Sequence, residues 1–510
     1  MEAGVEGLSH EVHHLEVYTS FLNIIVVLGI ALATSIYGYA SNVMAGSFAQ
    51  TTFIAKFLPA DKAAAYQGAL VGIYYGGAFI GSFLQQPISD RYGRRVAMGM
   101  GSLIVCISGA LCAASYHLPM LLVFRFLTGV GGAMVLTVSP QFIGELSPPH
   151  SRGWLVSLNV VGQDLGYVTS AATAFGFSWV TEPVQWRLNF ILMSIFALFI
   201  TGLMYFIPES PRWLVQQERY EDALAVLKKV HSHSSDVHFT LAKAEMIQIR
   251  EQVSLENTLP RGYRHIWRTP ALRRRALCTV LVWITAMSTG ILVLANYIPI
   301  LFGGLGYGYR LQLGLSVAWL GAVLFGAISG GIVADSVGRV RLMAGGAYTC
   351  AFCLAMEAVV AAKWIPANDI AGLRTGVAFF FLFGFFYNFW MDPSCFVYTS
   401  EIWPSHLRTE GVSLAMATYF GATIAWASPA STGFQNIGYK YYLILISVGV
   451  VCGTLCLLVL PETKGLSLEE IGELFGEEPV VRLRDMDVDN LDSTLAKTEQ
   501  TQVVHAEHKV

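Results

Sequence analysis

Four charged side chains lie deep inside long apolar stretches, and they are the residues best placed to do chemistry. They are Arg125, Asp164, Glu357 and Asp392. A charged group at membrane depth is costly, so it usually faces a cavity or a partner and marks the path of a solute or a proton. Because a cavity of low dielectric favours the protonated form of a carboxylic acid, these acids are candidate proton carriers.

The elements that hold these residues are apolar runs of about 20 residues, each long enough to cross a membrane. The chain is 54% hydrophobic and 13% charged, against about 25% charged residues in soluble domains. Backbone in lipid must bond within its own segment, so each span is expected to be a helix. The predicted spans are residues 20–42, 66–87, 96–117, 120–144, 154–178, 187–207, 276–302, 312–334, 342–362, 374–400, 410–433 and 440–460.

Three polar loops between these spans each occur twice. Residues 89–95 return in altered form at 335–339, residues 145–153 at 401–408, and residues 208–213 at 461–464. The offsets are 245, 256 and 253 residues. Three loops repeated at nearly one spacing indicate a duplicated unit of six helices.

The predicted organisation follows from this duplication. Basic residues concentrate in the even-numbered loops, which places both termini in the cytosol. No basic segment precedes the first apolar run, so no cleaved signal peptide is expected. The linker is expected to form two to four short amphipathic helices, and one more helix is expected near 466–475. The predicted parts are a tail at 1–19, a bundle at 20–208, a linker at 209–275, a second bundle at 276–460 and a tail at 461–510.

The repeated loops carry charges of both signs at the ends of neighbouring helices. Such charges can hold one closed arrangement that breaks when two bundles move, although a single copy would also fit an ordinary basic cytosolic loop. Two copies at the repeat spacing favour a cytosolic gate. Its predicted members are Asp90, Arg91, Gly93, Arg94, Glu145, Arg152, Glu209, Arg212, Asp335, Gly338, Arg339, Glu401, Arg408 and Glu462.

These loops resemble those of the major facilitator superfamily, and within it the sugar porter family. Residues 398–402 and 438–442 are similar to its disaccharide-permease branch, which is chiefly fungal. The resemblance implies an all-α membrane protein of twelve transmembrane helices, in two six-helix bundles related by pseudo-two-fold symmetry. It also implies alternating-access transport of a small polyhydroxylated solute: a sugar, disaccharide or glycoside.

Several positions depart from the sugar-binding pattern of that family. Ala286 and Met287 take the places of a glutamine pair in helix 7, and Leu292 takes the place of an asparagine. A less polar cavity leaves a less hydroxylated metabolite, an organic acid or an amine as an alternative substrate. The candidate substrate-binding residues are Val160, Tyr167, Met287, Tyr387, Asn388, Asp392, Asn296, Tyr297 and Phe396.

A further departure concerns energy coupling. Proton-coupled relatives carry an aspartate where this chain has Ala40, and that aspartate pairs with the arginine matched here by Arg125. From the helical rise, Arg125 lies about 30 Å from the cytosolic end, Asp164 about 16 Å and Asp392 about 13 Å. Arg125 and Asp164 are therefore too far apart to pair, whereas Asp164 and Asp392 share a depth in opposite halves. The coupling candidates are Arg125, Asp164 and Asp392, and the alternatives are uniport or takeover of coupling by Asp392 with Asp164.

If Asp392 took over, Arg125 would be held by backbone carbonyls, by tyrosine hydroxyls such as that of Tyr39, or by an anionic substrate group.

Other classes of function have little support in the sequence. There is no nucleotide-binding loop, no zinc-protease motif and no nucleophile elbow, so neither an enzyme nor a primary pump is expected. The cysteines lack metal-ligand spacing, and no cofactor or metal is expected. The net charge of -3 argues against a nucleic-acid partner. We expect a monomer in a lipid bilayer, in the plasma membrane, with a non-transporting nutrient sensor as a remote alternative.

Overall fold

The computed structural model describes residues 20–147, 152–180, 184–230, 239–260, 262–367, 369–464 and 468–476. Within these ranges the chain is helical and contains no strand. Both predicted tails lie largely outside the described residues. The short helices of the linker are Pro211–Gln216, Tyr220–Val230, Thr240–Thr258 and Tyr263–Ile266, and Leu468–Leu474 follows the last span.

Twelve long helical segments, two of them broken, form two halves of six. The N-terminal half comprises α1 (Phe21–Ala49), α2 (Ala63–Tyr92), α3 (Arg94–Ala113), α4 (Leu118–Leu146), α5 (Arg152–Gly176) and α6 (Gln185–Phe206). The C-terminal half comprises α7 (Pro270–Ser288 and Ile291–Gly304), α8 (Tyr309–Val337), α9 (Arg339–Val359), α10 (Ile370–Trp390 and Asp392–Glu401), α11 (Arg408–Ala427) and α12 (Lys440–Val459).

Nine of these segments in the described part of the chain are, by themselves, long and apolar enough to cross a membrane. The other three, α2, α5 and α11, carry more polar residues. They meet the opposite half, since α2 packs against α11 and α5 packs against α8. These three less apolar helices are therefore among those that lie at the interface between the halves.

Two helices that the sequence predicts as continuous spans are interrupted. In α7 the break is at Gly290, whose φ of +86° is a conformation that side-chain-bearing residues rarely adopt. In α10 the break is at Met391, and Pro393 opens the following segment, where its missing N–H is not needed. Broken helices at membrane depth are tolerated where they line a cavity.

Glycines on one face of α5 fix the rotation of that helix. A Cβ at Gly162 would lie 1.9 Å from the carbonyl oxygen of Ala31, and one at Gly166 would lie 2.0 Å from that of Ser35. These glycines let α5 press directly onto α1. Asp164 lies midway between them in sequence and therefore on the opposite face of the helix, which is turned toward the C-terminal half.

Candidate solute-binding site

A small closed cavity lies between the two halves. It holds about 30 Å³, whereas pockets that enclose a small-molecule ligand measure roughly 300–1,000 Å³. The structure therefore shows the site closed, without room for a sugar. The cavity is lined by Gln163, Asp164, Tyr167, Ile291, Leu292, Ala295, Trp319, Leu320, Val323, Tyr387, Asn388, Asp392 and Tyr419.

Two carboxyl groups in this wall have hydrogen-bond donors from α10. Asn388 Nδ2 donates to Asp164 Oδ2 at 2.5 Å, which joins the two halves. Tyr387 donates its hydroxyl hydrogen to Asp392 Oδ1 at 3.3 Å. Asp164 is 2% exposed and Asp392 is 3% exposed. The structure thus brings both predicted acids into the wall of one cavity, together with the predicted residues Tyr167, Tyr387 and Asn388.

Aromatic side chains form another part of the wall. The indole N–H of Trp319 donates to the Phe380 carbonyl at 2.7 Å, so it is not available to a ligand. The hydroxyl of Tyr419 accepts from Tyr37 at 3.2 Å, which is a second contact between the halves. Gln163 differs from these residues, because its Oε1 is buried and has no hydrogen-bond partner within the described part of the chain.

Two predicted substrate residues lie outside the cavity wall and join the halves. Asn296 donates to the hydroxyl of Tyr75 at 3.0 Å. The ring of Tyr297 stacks on that of Phe48, with centroids 6.1 Å apart, and its hydroxyl donates to the Ala427 carbonyl at 3.2 Å. In this closed state both residues hold α7 against the N-terminal half.

The other three predicted substrate residues are buried in the core without reaching the cavity. Phe396 packs edge-on against Trp283 at 4.9 Å, and Trp283 packs in turn on Tyr419 at 5.3 Å. Met287 and Val160 are 3% and 1% exposed and are absent from the cavity wall. Of these three, Phe396 is connected to the wall through Trp283 and Tyr419.

Arg125 has neutral partners. Its Nη1 donates to the Ala40 carbonyl at 2.7 Å, and its guanidinium carbon lies 4.4 Å from the centre of the Tyr74 ring. No described residue accepts a hydrogen bond from its buried Nε. The hydroxyl of Tyr39, a suggested partner, instead contacts Thr173 Oγ1 at 2.8 Å. A backbone carbonyl and an aromatic ring take the place of a carboxylate.

At one face of the molecule, called here the loop face, Arg94 organises the end of the N-terminal half. Its Nε donates to Glu145 Oε2 at 3.1 Å, and Asp90 Oδ1 lies 3.6 Å from Nη1. Glu209 accepts hydrogen bonds from the backbone N–H groups of Arg94, at 2.9 Å, and of Arg95, at 3.2 Å. It thereby caps α3. Burial raises the pKa of the Glu209 carboxyl, although these backbone donors oppose the shift.

The C-terminal half repeats this cluster. Arg339 Nη2 donates to Glu401 Oε1 at 3.1 Å, and its backbone N–H donates to Glu462 Oε1 at 2.9 Å. Thr463 Oγ1 donates to Glu401 at 2.7 Å, as Ser210 Oγ donates to Glu145 at 2.5 Å. The three duplicated loops therefore build the same ion pair and the same helix cap in each half.

Uncharged contacts cross between the halves at both faces. At the loop face Gln141 donates to Thr409 Oγ1 at 3.1 Å and also to Glu145 at 2.9 Å. At the opposite face Gln185 donates to the hydroxyl of Tyr309 at 2.9 Å. The ion pairs that the sequence predicts stabilise each half, and Gln141 connects one of these clusters to the other half.

The remaining predicted gate residues have separate positions. Arg212 forms an ion pair with Glu256 of the linker, and Arg91 lies over the ring of Tyr92. Arg408 begins α11. The side chains of Arg152 and Asp335 lie outside the described part of the structure. No group of three metal-ligating side chains is found among the residues that the structure describes.

Two six-helix halves around a closed cavity define a membrane transporter of the major facilitator type. The profile of the family described as sugar (and other) transporter matches residues 26–475, and the chain belongs to that family. The resemblance of the loops to the sugar porters is thereby confirmed. The similarity to the disaccharide-permease branch stays a prediction.

Individual relatives agree with this family. The MFS-type transporter criB of Aspergillus cristatus is 31% identical over 469 residues, which cover 90% of this chain and 95% of the relative. The probable polyol transporter 3 of Arabidopsis thaliana is 27% identical over 88% of this chain and 90% of its own length. The solved structure of the proton:xylose symporter XylE bound to 6-bromo-6-deoxy-D-glucose is 25% identical. It has a TM-score of 0.76 and covers 90% of this chain and 100% of its own.

Sequence reasoning missed part of the cavity wall. Gln163, Trp319 and Tyr419 lie in it without having been predicted. Gln163 directly precedes Asp164 in the chain, so a position close to the cavity could have been predicted for it. Nothing in the spacing of Trp319 or Tyr419 distinguishes them from aromatic residues that pack within a bundle, because helix rotation decides which ring faces the cavity.

Proposed function

We propose that this chain is a secondary transporter that moves a small solute across a membrane by alternating access. The observation that carries this proposal is one cavity between the two halves that is closed at both faces. Asn388 and Asp164 face each other inside it, while Gln141 joins the halves at one face and Gln185 joins them at the other. Opening one set of contacts at a time would expose the cavity to each side in turn.

The proposed solute is polyhydroxylated: a sugar, disaccharide or glycoside. Relatives are named for polyol and glucose transport, and a similar structure is that of a proton:xylose symporter. Carboxylates and tyrosine hydroxyls in the cavity wall are groups that pair with sugar hydroxyls. The molecule would act in the lipid bilayer as a monomer, in the plasma membrane with both termini cytosolic, and its activity would be movement of solute and not catalysis.

A less hydroxylated solute is the second candidate, and the cavity wall favours it. Five of the thirteen lining side chains are aliphatic: Ile291, Leu292, Ala295, Leu320 and Val323. These five side chains offer no hydrogen bonds, so hydroxyls facing them would lose their water without replacement. The candidate solutes are then a secondary metabolite, an organic acid or an amine.

Counterflow in proteoliposomes tests the transport function. Vesicles with purified protein are loaded with one unlabelled compound, and uptake of the same labelled compound is followed for sugars, polyols, disaccharides and amines. We expect uptake above that of protein-free vesicles for at least one class. Binding of a compound without counterflow of any would contradict transport and favour a sensor.

A further inference from the structure

We propose that the cavity binds a protonated amine, with its ammonium group between Asp164 and Asp392. This inference rests on the proposed transport function and names the chemical class of its solute. It comes from the charges of the wall and from its hydrogen-bond donors and acceptors. Both differ from what a neutral sugar requires.

The charge balance is the first argument. The thirteen lining residues include two carboxyl groups and no lysine, arginine or histidine. Both acids are almost fully buried, and burial of an unpaired carboxylate is strongly unfavourable. Arg125 does not compensate them, because its partners Ala40 and Tyr74 are not part of the wall. A buried acid without a cationic partner takes up a proton, whereas a cationic ligand between the two groups would stabilise their ionised form.

The hydrogen-bond balance is the second argument. The amide N–H groups of Asn388 are directed to Asp164 and to the Val323 carbonyl, and Tyr387 donates to Asp392. The Oε1 atom of Gln163, a residue 4% exposed, has no donor among the described residues. The wall therefore presents carboxylate and amide oxygens as acceptors, while the donors of Asn388 and Tyr387 are already engaged. An ammonium group only donates, whereas a sugar hydroxyl also needs donors.

The aromatic side chains are the third argument. Trp319, Tyr167, Tyr387 and Tyr419 contribute to the wall beside the acids. The faces of such rings attract cations, and an indole attracts them best. Acid groups and aromatic rings in one closed cavity are therefore a suitable environment for an ammonium group.

Matched ligands separate an amine from a hydroxyl at the same position. Binding to purified full-length protein is measured by calorimetry for 2-phenylethylamine against 2-phenylethanol, and for glucosamine against glucose. We expect each amine to bind at least about tenfold more tightly than its alcohol partner, which corresponds to about 1.4 kcal/mol. Equal affinities, or no binding of either amine at millimolar concentration, would overturn the proposal.

Variants locate the effect in the cavity. Asp164→Asn and Asp392→Asn are expected to remove the preference for amines, while Asp392→Glu, which keeps the charge, should retain part of it. Glu357→Gln is the matched control, since Glu357 is a buried acid of α9 outside this cavity. The elution profile and the fluorescence of Asp392→Asn show whether this variant is folded. If it is folded and still prefers amines, the proposal is wrong.

Flux measurements keep this inference separate from the transport function. Counterflow of glucose with no preference for amines would leave transport intact and refute the ammonium site. Tight amine binding that requires Asp164 and Asp392, without counterflow of any compound, would support the ammonium site and refute transport.

Discussion

Asn388 in α10 donates a hydrogen bond of 2.5 Å to the carboxyl group of Asp164 in α5, and this bond joins the two halves inside the cavity. A transporter that opens must separate these side chains, because they lie on opposite halves. A bound solute can take over the acceptor that Asn388 releases. We propose that this contact stabilises the closed state of the empty site and that substrate competes with it.

The first prediction concerns this bond. Asn388→Ala leaves Asp164 without its donor, and loss of a hydrogen bond to a buried charged group costs about 1.5–3 kcal/mol. We expect the closed state to be depopulated and the transport rate to fall by at least about tenfold. Counterflow gives the rate, and distances between spin labels on the two halves give the population of the closed state.

Asn189→Ala is the matched control for this variant. Asn189 is buried in α6, and its side-chain amide has no hydrogen-bond partner among the residues that the structure describes, so the truncation removes the same atoms without removing a bond. If both variants change transport equally, the Asn388–Asp164 bond is not what stabilises the closed state.

The second prediction concerns the glycines that let an acid cap α3 and α9. Gly93 has φ +97°, and an added Cβ would lie 2.3 Å from Glu209 Oε2; Gly338 has φ +109°, with its added Cβ 2.8 Å from Glu462 Oε2. Gly262 has φ +100° and nothing within 4 Å. Alanine at each site introduces strain of about 1–3 kcal/mol. Only at Gly93 and Gly338 does it also displace a capping carboxylate.

We therefore expect Gly93→Ala and Gly338→Ala to lower the melting temperature in detergent more than Gly262→Ala does. Tryptophan fluorescence during heating measures the difference. Equal losses at all three glycines would mean that backbone strain alone acts, and that the caps contribute little.

The third prediction concerns the loop-face cluster. Arg94→Ala removes the partner of Glu145 and is expected to abolish transport while the protein still reaches the membrane, because the Arg94 side chain is buried and breaking a buried ion pair costs about 3–5 kcal/mol. Arg95→Ala is the control, since the one hydrogen bond of the Arg95 side chain to a described residue is a 3.5 Å contact with the Ile207 carbonyl. Normal uptake by correctly localised Arg94→Ala would exclude a gating role for this arginine.

The membrane-spanning helices, apart from the breaks in α7 and α10, and the duplicated loop clusters could be predicted from the sequence. Apolar length indicates spans because lipid leaves the backbone no other partner, and the repeat of three loops is a local pattern. The helical rise placed Asp164 and Asp392 at one depth, and both lie in the wall of one cavity. These properties depend on distance along a single helix.

Features that depend on two helices at once could not be predicted in the same way. The bond between Asp164 and Asn388 requires the rotations of α5 and α10, and the rotation of α5 follows from its glycine contacts with α1. The positions of Met287 and Phe396 behind the wall depend on the path of the broken helices α7 and α10. The break at Met391 has only Pro393 as a local signal.

The last prediction concerns energy coupling. Ala40 cannot carry a proton, and Arg125 is held by a carbonyl and a ring, whereas Asp164 and Asp392 lie in the cavity that must open to each side. Titratable groups in the moving site can bind a proton on one side and release it on the other. We expect a solute gradient to move protons in proteoliposomes, and Asp392→Asn to abolish that movement while Glu357→Gln retains it.

A pH-sensitive dye inside the vesicles measures proton flux, with counterflow as the control for a working carrier. Solute movement by the wild type without proton flux would establish uniport, and proton flux that survives Asp392→Asn would leave Asp164 as the remaining acid of the cavity to be tested.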